Sequence, residues 1–258
     1  MDDRKVIYYT DEMNDEFSTT EITPRKIDEN YVYIHHSAFK RFTHFFWYRI
    51  VATPIACAYV RLTFGHQIRG RQKFEKHKAD GYFMYGNHTQ DIADPFIPNM
   101  INFPKTNYVI VHPNNVSMPV LGKINRYIGA MPLPGNIAAA QNFKACMEKQ
   151  IKSGNCVVIY PEAHIWPYYT KIRPFPDTSF AYPVKLDAPV FSFTNTYQKR
   201  RFFRKPKIVT YIDGPFFPDV TLSPSVRKKA LRDKVYETMC ERAKKSDVEY
   251  IKYVKKEA

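Results

Sequence analysis

The sequence predicts an α/β fold with a mainly parallel central sheet flanked by helices, preceded by an N-terminal hydrophobic helical segment. Two observations predict it. From residue 80 onward, short apolar runs alternate with helical patterns, which is how successive strands come to lie parallel in one sheet. The 258 residues, 44% of them hydrophobic, suffice for one good core with appendages rather than two equal domains.

The elements are taken in order. Residues 1–35 are a polar, acidic extension without sustained periodicity, expected to be loosely ordered and to fold back on a basic body. Residues 36–75 contain a dense aromatic and aliphatic stretch, Phe45 to Phe64, interrupted by Arg49, Pro54 and Arg61. Its apolar run from Ile50 to Val60 is eleven residues, short of the roughly 20 needed to span a bilayer. It suits a segment lying in one leaflet, with Trp47 and Tyr48 at the interface and His44 and the arginines at headgroups, or else a pair of core-packed helices broken near Pro54.

Residues 76–258 form the α/β domain. The runs "GYFMYG", "NYVIVH", "NCVVIY", "PVFSF" and "KIVTYIDG" predict buried strands. "NIAAAQNFKACMEKQIKSG" predicts a helix, with Asn136 as N-cap, Ala140, Phe143, Met147 and Ile151 on one face, and Gly154 at its end. A basic amphipathic helix closes the body, with Val226, Ala230, Val235 and Met239 on its apolar side.

Charge and cysteine content narrow the setting. The chain carries +14 overall, yet residues 1–30 hold nine acidic and four basic side chains, a net of −5, so the remainder carries +19. A body that basic calls for an anionic partner: nucleic acid, an acidic membrane face or a phosphorylated substrate. The absence of any helix-turn-helix, zinc-finger or RNA-recognition signature weighs against nucleic acid. Cys57, Cys146, Cys156 and Cys240 are scattered, with no C-x-x-C spacing and no secretory signal. Reduced thiols, a cytoplasmic setting and no bound metal are therefore expected.

The chemistry concentrates at "YGNHTQDIADPF", residues 85–96. His88 comes just after the end of a predicted strand, where open α/β sheets place their ligand sites. Imidazole titrates near neutrality and accepts a hydroxyl proton as that oxygen attacks, while a carboxylate on its other nitrogen fixes the tautomer. Asp91 and Asp94 are both candidates for that carboxylate, and a purely structural turn is the competing reading. No G-x-S-x-G occurs, so a His–Asp pair here points to a substrate hydroxyl as nucleophile, hence group transfer. A second strand ends at Tyr160, and Glu162 beyond it either faces His88 across the crevice or is a solvated loop glutamate.

In the same order, "YGNHTQDIAD", "RYIGAMPLPG", "VVIYPEAH" and "APVFSF" resemble the four blocks of the glycerolipid acyltransferase family that includes 1-acylglycerol-3-phosphate acyltransferases. The resemblance covers roughly residues 66 to 215. It implies an O-acyltransferase that moves a fatty acyl group from acyl-CoA or acyl-carrier protein, as co-substrate, to a lysophosphatidic-acid-like lysolipid, with no bound cofactor or metal. It further implies His88 as base, Asp94 as its partner, Glu162 beside the acceptor, local backbone donors or Asn87 at the oxyanion, and an anionic membrane surface on the cytoplasmic side. The family spaces histidine and aspartate by four residues; here five intervene, and Asp94 is preferred because Asp94-Pro95-Phe96 resembles the stretch beginning at the family's aspartate. The family's arginine in the second block is replaced near Gly135, and Glu-Gly-Thr-Arg in the third becomes Glu162-Ala163-His164-Ile165. Lys123, Arg126, Lys171 and Arg173 are the replacement cations, Arg173 foremost. Two other readings stand beside the enzyme: a relative without catalysis that binds lipid or acyl chains, and a basic nucleic-acid-binding protein.

Overall fold

The computed structural model describes residues 4–17, 24–33, 37–91, 93–118, 122, 125 and 128–256. Lys123 and Arg126 lie outside the described residues, as do the side chains of Lys40, Arg41 and His44. Seven strands form the main sheet: β2 (Gln67–Arg69), β3 (Tyr82–Gly86), β4 (Asn107–Val111), β5 (Ala130–Pro132), β6 (Cys156–Ile159), β7 (Val190–Gln198) and β8 (Lys207–Phe216). Their order is β2-β8-β7-β3-β6-β4-β5. The run from β7 to β5 is parallel; β8 pairs antiparallel with β7, and β2 lies parallel to β8. A separate parallel pair joins β1 (Lys5–Tyr9) to β9 (Ile251–Lys255).

The central strands are buried on both faces, which is why they read as continuous apolar runs rather than alternating ones. Phe83, Tyr85, Val157 and Ile159 face one layer, with Phe143 and Met147 of the helix Ile137–Lys152 and Val235 and Met239 of the helix Pro224–Ala243. Tyr82, Met84, Cys156 and Val158 face the other, with Val60 and Phe64 of the helix Thr53–Phe64 and Ile97 of the helix Ile97–Ile101. Asn136 caps the first of these helices, accepting from Ala139 N at 2.7 Å, a contact that satisfies one of the free amides of a helix start. In Pro224–Ala243 the buried stripe is Leu231, Val235, Met239 and Ala243; Val226 and Ala230 point outward. Two helical stripes pass through this sequence, and packing against the sheet selects the one that repeats every four residues from Leu231.

Residues 38–64 are helical throughout: Ala38–Phe45, a π-helical turn Phe46–Ala52, then Thr53–Phe64 with Pro54 in its first turn. Proline is tolerated there because its missing N–H has no partner in any case. The wider turn rotates Tyr48 inward, where its hydroxyl donates to Asn99 Oδ1 and accepts from Asn107 N at 2.9 Å. Tyr48 is thus a core residue, not an interfacial one. Phe39, Phe42, Phe45, Trp47, Ile50, Ile55 and Leu62 remain exposed. No described helix is long and apolar enough to cross a membrane. β2 lies within the 36–75 segment yet belongs to the sheet, so the α/β body takes in residues before 76.

Candidate active site

β3 and β6 are parallel neighbours, so both open at the same sheet edge. β3 ends at Gly86, where any Cβ would stand 2.1 Å from the Phe193 ring; only glycine lets the chain leave the sheet so close to β7. The next residue, Asn87, extends the β3–β7 ladder by one rung through its side chain. Its Oδ1 accepts from Asn195 N at 2.8 Å and its Nδ2 donates to Asn195 O at 3.0 Å. Asn87 is therefore buried and engaged with β7, and it positions the loop instead of facing the substrate as the resemblance implies.

His88 comes next, with its side chain 18% exposed. Its Nδ1 lies 2.8 Å from Asp94 Oδ2. A carboxylate only accepts, so Nδ1 carries a proton, and in the neutral ring the lone pair falls on Nε2. The same Asp94 oxygen also accepts from Thr89 N at 2.8 Å and Gln90 N at 2.9 Å. A helical turn, Asp94 N to Gln90 O at 3.2 Å, folds the five-residue spacing back over these amides. Asp94 is fully buried, whereas Asp91 lies at the surface. The Tyr160 ring stacks on the imidazole at 4.5 Å and 22°, and its hydroxyl donates to Asp94 O at 2.5 Å. Burial holds that phenol well above its ordinary pKa, so it stays a donor.

Asp94's other oxygen begins a buried chain that sequence reading missed. Asn195 Nδ2 donates to Oδ1 at 3.3 Å, Thr210 Oγ1 donates to Asn195 Oδ1 at 2.7 Å, and His66 Nε2 lies 2.7 Å from Thr210 Oγ1. The hydroxyl's single proton goes to Asn195, so His66 donates and its Nδ1 has no partner among the described residues. Tyr197 adds a further tie, donating to Thr89 Oγ1 at 2.7 Å and accepting from Gln90 Nε2 at 3.0 Å. The available signal was the polar content of "FSFTNTYQ" inside a strand that is otherwise buried.

Glu162 joins the two loops. Its oxygens accept from His88 N at 3.0 Å and from Arg173 N at 2.9 Å, and the side chains of Glu162 and Arg173 are each 1% exposed. Burial pushes the Glu162 carboxyl above its usual range, against the opposing pull of Arg173. Arg173 was expected to meet the acceptor; the structure turns it inward instead. Its guanidinium bonds His164 O, reaches Glu12 O at 3.5 Å, stands 3.5 Å from Glu162 and lies over the Trp166 ring at 4.9 Å. An arginine so enclosed braces the loop. Of the other basic residues in this loop, Lys171 is exposed, while His164 Nδ1 meets Glu16 Oε2 at 2.9 Å.

The acidic extension is thus ordered where it meets the site. Asp15 O accepts from Trp166 Nε1 at 2.8 Å, Glu12 Oε1 from Tyr169 at 3.2 Å, and Tyr9 and Phe17 pack on Trp166. Further along, Ile27 O accepts from Gly135 N at 2.8 Å, which ties the extension to the second sequence block as well. Among the described residues no group of three or more His, Cys, Asp or Glu is placed to hold a metal ion.

A parallel α/β sandwich with a partly exposed histidine backed by a buried aspartate at its strand ends is an arrangement suited to group transfer. The family model named Acyltransferase matches residues 66–195, half of the chain, and the chain belongs to that family; it is an acyltransferase. Among solved structures it resembles the 1-acyl-sn-glycerophosphate (LPA) acyltransferase PlsC from Thermotoga maritima, with a TM-score of 0.56 and 18% identity over 81% of this chain and 89% of that one. That likeness is one of fold. No curated protein matches the chain.

Proposed function

We propose that this acyltransferase moves a fatty acyl group from a thioester, acyl-CoA or acyl-carrier protein, to the free hydroxyl of a lysophosphatidic-acid-like lipid at a cytoplasmic membrane face. The observation that carries it is the His88 ring, its side chain 18% exposed and its Nδ1 2.8 Å from the buried Asp94 carboxylate. Residues 86–96 and 160–173 contain no serine or cysteine, so the loops supply no acyl-accepting nucleophile of the usual kind. Nε2 takes the acceptor's hydroxyl proton as that oxygen attacks the thioester carbonyl. The tetrahedral oxyanion collapses to an ester and expels a thiolate, which recovers the proton from Nε2. Asp94 stabilises the imidazolium between the two transfers. The exposed aromatic face of residues 38–64 supports docking on lipid. With Arg173 internal, Lys171 is the loop cation best exposed to meet a phosphate.

The test is acyl transfer from labelled acyl-CoA and acyl-carrier protein to lysolipids and neutral glycerides, comparing wild type with His88→Ala. General-base catalysis contributes about 10²–10⁴-fold, so His88→Ala should lose more than about a hundredfold. Undiminished turnover by folded His88→Ala would end the proposal.

A further inference from the structure

The link between β7 and β8 begins Lys199-Arg200-Arg201-Phe202-Phe203-Arg204-Lys205, five basic residues around two phenylalanines with no acid. Phe202 is 82% and Phe203 59% exposed, an arrangement water disfavours for adjacent aromatic rings. Each ring carries a guanidinium, Arg200 over Phe203 at 3.7 Å and Arg201 over Phe202 at 5.1 Å. Even with a guanidinium beside each, both rings keep most of their surface open to water.

The position of this tip gives it a use. Arg200 Nη1 donates to Thr63 O at 2.8 Å, and its guanidinium would lie 3.6 Å from a Cβ at Gly65, the residue that ends the helix Thr53–Phe64. The tip is therefore tied to the last turn of that helix. Its outer stripe, Ile55, Tyr59 and Leu62, is exposed along i, i+4 and i+7. Two apolar surfaces more than a hundred residues apart in sequence adjoin and share the same basic rim. At the base of the hairpin Lys199 N donates to Asp247 Oδ1 at 2.7 Å.

We infer that the β7–β8 tip is a second membrane anchor, selective for anionic lipid, that acts beside the helical segment. Protruding aromatic side chains flanked by cations match a bilayer, whose acyl layer admits the rings while its headgroup phosphates meet the guanidinium groups. This rests on the membrane reading above, and its test separates the two. Wild type, Phe202→Ser/Phe203→Ser and Arg201→Gln/Lys205→Gln are co-sedimented with phosphatidylcholine vesicles lacking or containing phosphatidylglycerol. Melting temperature and acyl transfer in detergent micelles serve as controls for folding and site integrity.

The double serine variant should lose at least about tenfold in vesicle partitioning while its micelle activity is kept. The glutamine variant should lose its preference for anionic vesicles and the salt sensitivity that goes with it. Unchanged partitioning of both variants overturns the second anchor and leaves the helical one standing. Wild type that binds no vesicle overturns the membrane reading itself. Steeply salt-dependent binding to RNA, lost in the glutamine variant and unaccompanied by vesicle binding, would overturn both in favour of a nucleic-acid surface.

Discussion

Ala163 turns the backbone with φ 63°, in the left-handed region where an L side chain costs about 1–2 kcal/mol. It does so because Glu162 must send one oxygen to His88 N and the other to Arg173 N, and the chain has to reverse at once to reach both. Ala163→Gly removes the strain and returns part of the gain as unfolded-chain entropy. A net gain of about 0.5–1 kcal/mol in urea denaturation is expected, with transfer activity unchanged. The same few residues show which roles were legible. The contact between His88 and Asp94 could be read because the two lie close in sequence just past a strand end, with only Asp91 as a rival carboxylate. Arg173 could not, because a loop arginine reads as a surface cation until Glu12 and Trp166 are known to enclose it.

Among the elements, the buried strands β3, β4, β6, β7 and β8 were visible as apolar runs, whereas β2 and β5, three residues each, are too short to show a period. β2 matters all the same, since His66 just before it starts the hydrogen-bond chain to Asp94. Burial, with help from Arg61, lowers the His66 pKa to about 4 from 6.5. The folded state therefore refuses a proton that the unfolded chain accepts. Its contribution is whole above pH 6.5 and drains away as pH falls toward 4, by about 3 kcal/mol in all and about 2 kcal/mol by pH 5. His66→Gln should remove most of that pH 7 to pH 5 loss, read as the change in urea-derived stability. Thr210→Val, which breaks the chain one link nearer the site, should lower kcat with KM little changed, and Thr210→Ser should restore it.

At the scale of the whole molecule, β1 and β9 together back the loop that follows Glu162. β1 lies on β9, Tyr253 stacks on Trp166 at 5.0 Å and donates to Pro167 O, and Tyr9 and Phe17 complete the cluster. Nothing in the acidic extension announces this, because its order comes from partners distant in sequence rather than from its own period. Removing residues 1–17 strips the aromatic cover from the loop that Glu162 and Arg173 organise. Acyl transfer should fall at least about tenfold, and a synthetic peptide of residues 1–17 should recover part of it.

The pairing of β1 with β9 also bears on how the enzyme is made. β9 emerges from the ribosome long after His88 and Asp94, and until it does β1 has no strand to lie on and Trp166 lacks its stacking partner. A chain broken off before residue 251 would carry His88 and Asp94 without the strand that backs Trp166. The loop that Glu162 ties to His88 therefore settles only after β9 has been made.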